Sequence, residues 1–113
     1  MVLKEGEKIH VIVRRFFERD VRRHFIGEVE GVSESVARVR GYTFLMDKGT
    51  NQYVRRSERT RLISLVDAGN AITVLPDKSI IEDARYVYSE TEGMVITDGS
   101  NFQLEINEIG FRA

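Results

Sequence analysis

The sequence predicts an all-β protein built on a small, strongly bent barrel of five strands. Gly27, Val29 and Gly31 alternate with acidic residues, which is the period of a half-buried strand. The same period resumes at Ala37 after residues 33–35. The stretch therefore forms either two strands that meet at a sharp bend or one long bent strand. Two glycines on one face also predict a strand that bends hard or is approached closely by another backbone.

The length and composition indicate one domain of an ordinary soluble type. Of the 113 residues, 42% are apolar and 31% are charged. The chain has no cysteine, which excludes disulfides, thiolate metal sites and cysteine nucleophiles. No apolar run approaches the ~20 residues of a membrane span, and the first residues lack the apolar core of a signal peptide. We expect a cytoplasmic protein.

Positive charge is concentrated in the first half of the chain. Residues 1–61 carry 14 Lys and Arg against 9 Asp and Glu, whereas residues 62–113 carry 3 against 9. Arginine outnumbers lysine by 13 to 4, and arginine favours bidentate contacts with carboxylates and phosphates. Two interpretations follow: the halves pair with each other within or between subunits, or the basic half presents a face to nucleic acid.

The other predicted strands are short and separated by Gly-, Asn- or charge-rich links. Up to Leu75 the inventory is typical of an SH3-like barrel. In chain order we expect a strand at 8–17, a hairpin connection at 18–23, the bent stretch at 25–47, a turn at 48–51, an arginine-bearing strand end or loop at 52–58, a strand at 59–66, a tight turn at 67–70 and a strand at 71–75.

Residues 76–113 are predicted to form an extension packed on the barrel of residues 8–75, within a single domain. Ser79 and Glu82 have capping-box spacing, which indicates one or two helical turns. A strand is expected at 85–89. The extension is expected to end in a β-hairpin, with strands at 93–97 and 102–107.

Two motifs in residues 8–75 resemble those of the Sm-like (Lsm) family. The family's first motif has the form G-x-h-x-G-h-D-x-x-h-N-h-h, where h is apolar, and its second has the form I-R-G-N-x-I. Arg38 breaks the apolar pattern of the first. The matching residues are Gly27, Val29, Gly31, Val32, Val36 and Val39 in the first motif, and Gly69, Asn70 and Ile72 in the second.

The resemblance implies an Sm-like barrel and a homo-oligomeric ring, in which the fourth strand of one subunit pairs with the fifth of the next. It does not extend to the family's uridine pocket, which uses an Asp, an Asn and an Arg. Ser33, Ala37 and Ala68 stand at those positions. The candidate interface residues for such a ring are Arg59, Leu62, Ser64, Val66, Ala71, Thr73 and Leu75.

Arginines close to aromatic residues are the candidates for binding nucleic acid, because such pairs hold phosphates and stack bases. Tyr53 is the best candidate for stacking. The alternative is that the phenylalanines are core residues and the arginines are solvated positions that discourage unwanted strand pairing. The candidate set is Arg38, Arg40, Tyr53, Arg55, Arg56, Arg59 and Arg61.

No other chemistry is indicated by the residue pattern. His10 and His24 have no metal-motif spacing, so we expect them at the surface or in a subunit contact. Phosphate-binding loops and nucleophile elbows are absent from the sequence. We therefore expect a non-enzymatic protein without cofactor or metal. The leading hypothesis is a ring-forming Sm-like protein that binds RNA through surface arginines; the alternative is a homo-oligomeric scaffold or adaptor that binds no nucleic acid.

Overall fold

A computed structural model describes residues 2–17 and 19–106, and it confirms the predicted all-β class. Two antiparallel sheets are joined by a short 3-10 helix at Ile81–Asp83. The first sheet contains β1 (Lys8–Val13), β2 (Arg23–Val32), β3 (Val36–Asp47), β4 (Gln52–Arg55), β5 (Arg59–Ser64) and β6 (Asn70–Leu75). The second contains β7 (Arg85–Ser89), β8 (Gly93–Thr97) and β9 (Gln103–Glu105).

The long strand β3 is the centre of the first sheet. It pairs with β2 on one side, and on the other side its first half pairs with β5 and its second half with β4. The sheet continues from β2 through β1 to β6. In the described part of the chain, β5 pairs only with β3 and β6 only with β1, so hydrogen bonding does not close the sheet into a barrel.

The bent stretch at 25–47 is two strands joined by a tight turn, which is one of the two predicted arrangements. β2 ends at Val32, and β3 begins at Val36. The Ser33 amide donates to the Val36 carbonyl at 2.9 Å, and the Val36 amide donates to Ser33 Oγ at 3.3 Å. A β-bulge between Val29 and Gly31 shifts the register of the pair, which increases the local bend.

The first sheet curls around a core on one of its faces, here called the inner face. Side chains from β1, β2, β3 and β5 meet there, although β1 and β5 are not neighbours in the sheet. Only a curved sheet brings such strands into contact. The buried residues of this core are Ile9, Val11, Phe25, Val29, Ala37, Val39 and Ile63.

The opposite, outer face is covered by the second sheet. Ile26 and Phe44 of the first sheet pack with Ile96 and Phe102 of the extension in a second core. The predicted hairpin is present as the pair of β8 and β9, and the predicted strand β7 pairs with β8 along its whole length, so the extension is a three-stranded sheet. The predicted last strand also included Asn107, which lies outside the described residues.

The first strand is shorter than predicted. It ends at Val13 because the backbone then turns away from the sheet, so that the amides of Phe16 and Phe17 both donate to the Asp20 carboxylate at 3.1 Å. The Arg14 amide donates to the Gly69 carbonyl at 3.0 Å. Residues 14–17 therefore belong to the loop between β1 and β2.

The predicted capping box at Ser79 and Glu82 is wrong. Ile80 precedes the 3-10 helix, no side chain caps it, and its amide donates to Asp98 Oδ2 at 2.9 Å. Burial of Asp98 opposes ionisation, but hydrogen bonds from the amides of Ser100, Ile80 and Asn101 outweigh it and hold the pKa of Asp98 well below its usual range. This one carboxylate ties the β8–β9 loop to the helix.

Candidate nucleic-acid interface

The inner face changes from apolar to basic toward one end of the sheet. Arg23 stands two residues before Phe25 in β2, and Arg61 stands two residues before Ile63 in β5. Because side chains alternate along a strand, both arginines share the inner face with these core residues. Arg59 follows the same period in β5. Three arginines from two strands thus lie on the inner face beside the apolar core, at its edge.

Together with Arg56, these residues line a hollow of about 530 Å³, here called the arginine hollow. Apolar side chains, including Phe25 and Ile63, form its floor, and Thr43 and Ser57 add hydroxyl groups. Among residues 2–17 and 19–106, no acidic residue lines it. The four guanidinium groups of the hollow belong to Arg23, Arg56, Arg59 and Arg61.

These four charges are not neutralised within the described part of the chain. Arg61 Nε donates to Thr43 Oγ1 at 3.3 Å, and this hydroxyl carries no charge. No described carboxylate forms an ion pair with any of the four guanidinium groups. Like charges around one concavity repel one another, and a bound anion removes that repulsion. Guanidinium groups match phosphate in particular, because they donate two parallel hydrogen bonds.

The structure brings together three of the predicted nucleic-acid residues, Arg56, Arg59 and Arg61, and leaves others elsewhere. Arg38 is exposed on the outer face of β3. Arg40 lies between two acids: its Nη1 is 2.8 Å from Glu58 Oε2, and its Nε is 3.2 Å from Glu30 Oε2. The hydrogen bond to Glu58 is the main reason that the pKa of Arg40 is raised. Its charge is satisfied within the protein.

Arg55 and Tyr53 hold the two sheets together. The Arg55 guanidinium lies over the Tyr42 ring, 4.0 Å from its centroid, and Nη1 donates to the Glu82 carbonyl at 2.6 Å. The ring of Tyr53 stacks on Tyr86 of β7 with centroids 4.3 Å apart and planes 22° apart. Both predicted binding residues therefore make internal contacts between the first sheet and the extension.

Arg23 is the hollow residue that stands outside the candidate set, although the sequence places it with Arg22 in one of the basic clusters near aromatic residues. It was assigned to the β1–β2 connection, although β2 begins at Arg23 and pairs it with Val13. Its two-residue spacing from Phe25 was the available indication of a place on the inner face.

Both histidines are buried. The prediction named the surface or a subunit contact as their place, and the surface is wrong. His10 and His24 lie on the outer face of the first sheet, under Tyr86, and their exposed fractions are 0% and 1%. Tyr86 Oη lies 2.9 Å from His10 Nε2 and 3.0 Å from His24 Nδ1. A hydroxyl has one hydrogen, so Tyr86 donates to one imidazole and accepts an N–H from the other.

The burial of this trio keeps all three groups uncharged at neutral pH. Desolvation lowers the pKa of His10 to about 3, with a further contribution from a charged His24. Desolvation, together with the nearby Arg22, lowers the pKa of His24 to about 4. Burial also raises the pKa of Tyr86 well above its usual value. The trio thus acts as a polar contact between the sheets.

The residues predicted for a ring interface lie on or beside the two open edges of the first sheet. Leu62 and Val66 are 66% and 72% exposed, and Ala71 and Thr73 are exposed as well. Ser64 is half-buried, and its Oγ accepts the amides of Val66 and Asp67. Leu75, in contrast, is buried in the core between the two sheets, and Arg59 lines the arginine hollow.

Comparison of the chain with protein-family models, with curated proteins and with solved structures gives no match. Among residues 2–17 and 19–106, no helix is long and apolar enough to cross a membrane. Within the same residues, no three His, Asp or Glu side chains are grouped as a metal site would require. The arginine hollow is therefore described by its own geometry alone.

Proposed function

We propose that this chain is an Sm-like protein that binds single-stranded RNA in the arginine hollow. The observation that carries the proposal is the convergence of four guanidinium groups around a concavity whose described lining residues include no acid. Phosphate contacts of this kind supply affinity without reading sequence. That mode of binding agrees with Ser33, Ala37 and Ala68 at the positions where the resembling family has uridine-binding groups.

The curvature of the first sheet supports the Sm-like part of the proposal. The five strands β1, β2, β3, β5 and β6 contribute to one inner core, and the tight turn after Gly31 lies within the first resembling motif. The second resembling motif spans the turn from β5 to β6. A five-stranded SH3-like barrel of these strands is the arrangement that we propose for this sheet.

Binding to RNA should depend steeply on salt, because it uses phosphate contacts. The net charge of the chain is -1, so the chain as a whole does not attract a polyanion, and the local charge of the hollow must do so. Each phosphate contact with a single strand adds about 0.7 to the slope of log affinity against log salt concentration.

We expect the double variant Arg56→Ala, Arg59→Ala to bind a single-stranded oligonucleotide more weakly and to lower this slope by about 1.4. Fluorescence anisotropy with a labelled oligouridylate at two salt concentrations measures both quantities. The matched control is Arg38→Ala with Lys78→Ala, which removes the same charge from exposed positions outside the hollow. Absence of binding by the wild-type protein at low salt would refute the proposal, as would an equal loss in the control.

A second candidate function, a homo-oligomeric scaffold, is favoured by the two open edges of the first sheet. In the described part of the chain, β5 and β6 each have one unpaired side, and Leu62 and Val74 are 66% and 51% exposed there. Unpaired edges with apolar side chains promote association between subunits. Pairing β5 of one subunit with β6 of the next would close a ring.

For this assembly we expect the wild-type protein to elute as an oligomer at tens of micromolar concentration, and Leu62→Glu to elute as a monomer. A buried negative charge at the edge would oppose strand pairing between subunits. Size-exclusion chromatography with light scattering measures the mass. Tyr88→Glu, at an exposed position of the second sheet, is the control and should remain oligomeric. A monomeric wild-type protein would exclude the ring.

A further inference from the structure

We infer that Phe16 and Phe17 form a platform on which unpaired bases of the bound strand stack, beside the arginine hollow. This inference rests on the proposed function and extends it by naming what holds the bases. Phe16 and Phe17 are 71% and 73% exposed, whereas Phe25, Phe44 and Phe102 are buried. Two adjacent exposed phenylalanine rings require an explanation that packing among residues 2–17 and 19–106 does not give.

The backbone under these rings is held in place by hydrogen bonds. Asp20 Oδ2 accepts the amides of both Phe16 and Phe17 at 3.1 Å, and the Asp20 amide donates to the Phe17 carbonyl at 3.0 Å. Lys48 Nζ donates to the Arg19 carbonyl at 3.0 Å, which ties the loop to the turn after β3. The backbone that carries the two rings is therefore held in a defined turn before a ligand binds.

The platform and the arginine hollow share a wall. A second hollow beside Phe16, of about 330 Å³, is lined in part by Val13 and Arg23, and both residues also line the arginine hollow. The Arg14 guanidinium lies over one side of the Phe16 ring, 5.3 Å from its centroid. Rings that can stack on bases thus stand next to cations that can bind phosphates, along one continuous surface.

A single strand of nucleic acid is the ligand that uses both features. Stacking on aromatic side chains is available to every base, but only when the base is not already stacked within a duplex. The arginines lie in a concavity, which a flexible strand can enter and a flat membrane surface cannot. The combination favours a single strand over a lipid bilayer.

Binding of two probes separates the role of the rings from that of the arginines. The first probe is an oligoadenylate, and the second is an abasic strand of the same length that keeps only sugars and phosphates. We expect Phe16→Ala with Phe17→Ala to weaken binding of oligoadenylate about 10- to 100-fold and to leave its salt dependence unchanged. Binding of the abasic strand should not change. Arg56→Ala with Arg59→Ala should weaken binding of both probes.

Direct contact can be read from a tryptophan placed in the platform. The chain has no tryptophan, so Phe17→Trp introduces a single reporter that keeps an aromatic surface. Stacking on a base should quench its fluorescence when oligoadenylate binds, whereas the abasic strand should not. The variant should also retain the affinity of the wild-type protein, since it retains the stacking surface.

The possible failures are distinct. If the wild-type protein binds neither probe, the proposed function is refuted and the inference fails with it. If both probes bind through the arginines but the double phenylalanine variant binds oligoadenylate as tightly as wild type, the inference alone is refuted. It is also refuted if the phenylalanine variant loses only its binding to vesicles of phosphatidylserine and phosphatidylcholine, because the rings would then serve a membrane.

Discussion

Replacing Gly41 by alanine is expected to lower the free energy of unfolding by more than about 4 kcal/mol, which would unfold many domains of this size. A Cβ atom at Gly41 would overlap the carbonyl oxygen of Ile26 and lie 2.5 Å from Gly27 Cα. Both obstacles are backbone atoms, so no side-chain rotation relieves the clash. Urea unfolding followed by circular dichroism measures the loss.

Gly27 is the partner of Gly41 across the β2–β3 pair, and we expect its replacement to be costly as well. A Cβ atom there would lie 2.6 Å from the Arg40 carbonyl oxygen. Gly31 is the matched control, because a Cβ atom at this position would have no neighbour within 4 Å. Of the two predicted reasons for these glycines, close approach of another backbone applies at Gly27, whereas Gly31 lies at the β-bulge that bends the strand. A Gly31→Ala variant should be within about 0.5 kcal/mol of wild type; equal effects at Gly31 and Gly41 would contradict the expectation.

Acidification from pH 7 to pH 5 is expected to destabilise the protein by about 4 kcal/mol through His10 and His24. In the unfolded chain both imidazoles bind a proton near their ordinary pKa of 6.5, whereas in the folded protein the pKa values are about 3 and about 4. The unfolded state therefore binds more protons as the pH falls below 6.5. The stability is fully present above that pH and is lost progressively toward pH 3.

The measurement is the free energy of unfolding in urea at several pH values between 7 and 5. The slope should approach about 2.7 kcal/mol per pH unit at the lower end, and it should be halved in His24→Leu. NMR chemical shifts of the imidazole rings provide an independent readout that does not require the variant to fold. Titration of either ring near pH 6.5 in the folded protein would show that the buried trio does not exclude the proton.

The period of the side chains was enough to predict which residues of β2 and β3 share a face. Val29, Ala37 and Val39 fall on the predicted face, and the turn between the two strands falls where Ser33 was expected to interrupt the pattern. Strand period is a local property, so neighbouring residues reveal it. The end of β1 depends instead on Asp20, because its carboxylate accepts hydrogen bonds from the amides of Phe16 and Phe17.

The buried histidines could not be predicted because their environment is distant in sequence. Tyr86 covers His10 from 76 positions away, and only the packing of the second sheet brings them together. The arginine hollow could be predicted from the sequence only in part. Arg23, Arg59 and Arg61 alternate with the core residues of β2 and β5, but their convergence in space depends on how the whole sheet curves, which the period of one strand does not reveal.

The stacked rings of Tyr53 and Tyr86 also give the protein an optical property. They belong to different sheets and lie close enough for their electronic transitions to couple. Tyrosine is the strongest near-ultraviolet absorber in a chain of this composition. Near-ultraviolet circular dichroism responds to fixed packing of aromatic rings, whereas far-ultraviolet circular dichroism responds to the strands. Separation of the second sheet from the first would therefore be visible as a change in the near-ultraviolet spectrum alone, without any label.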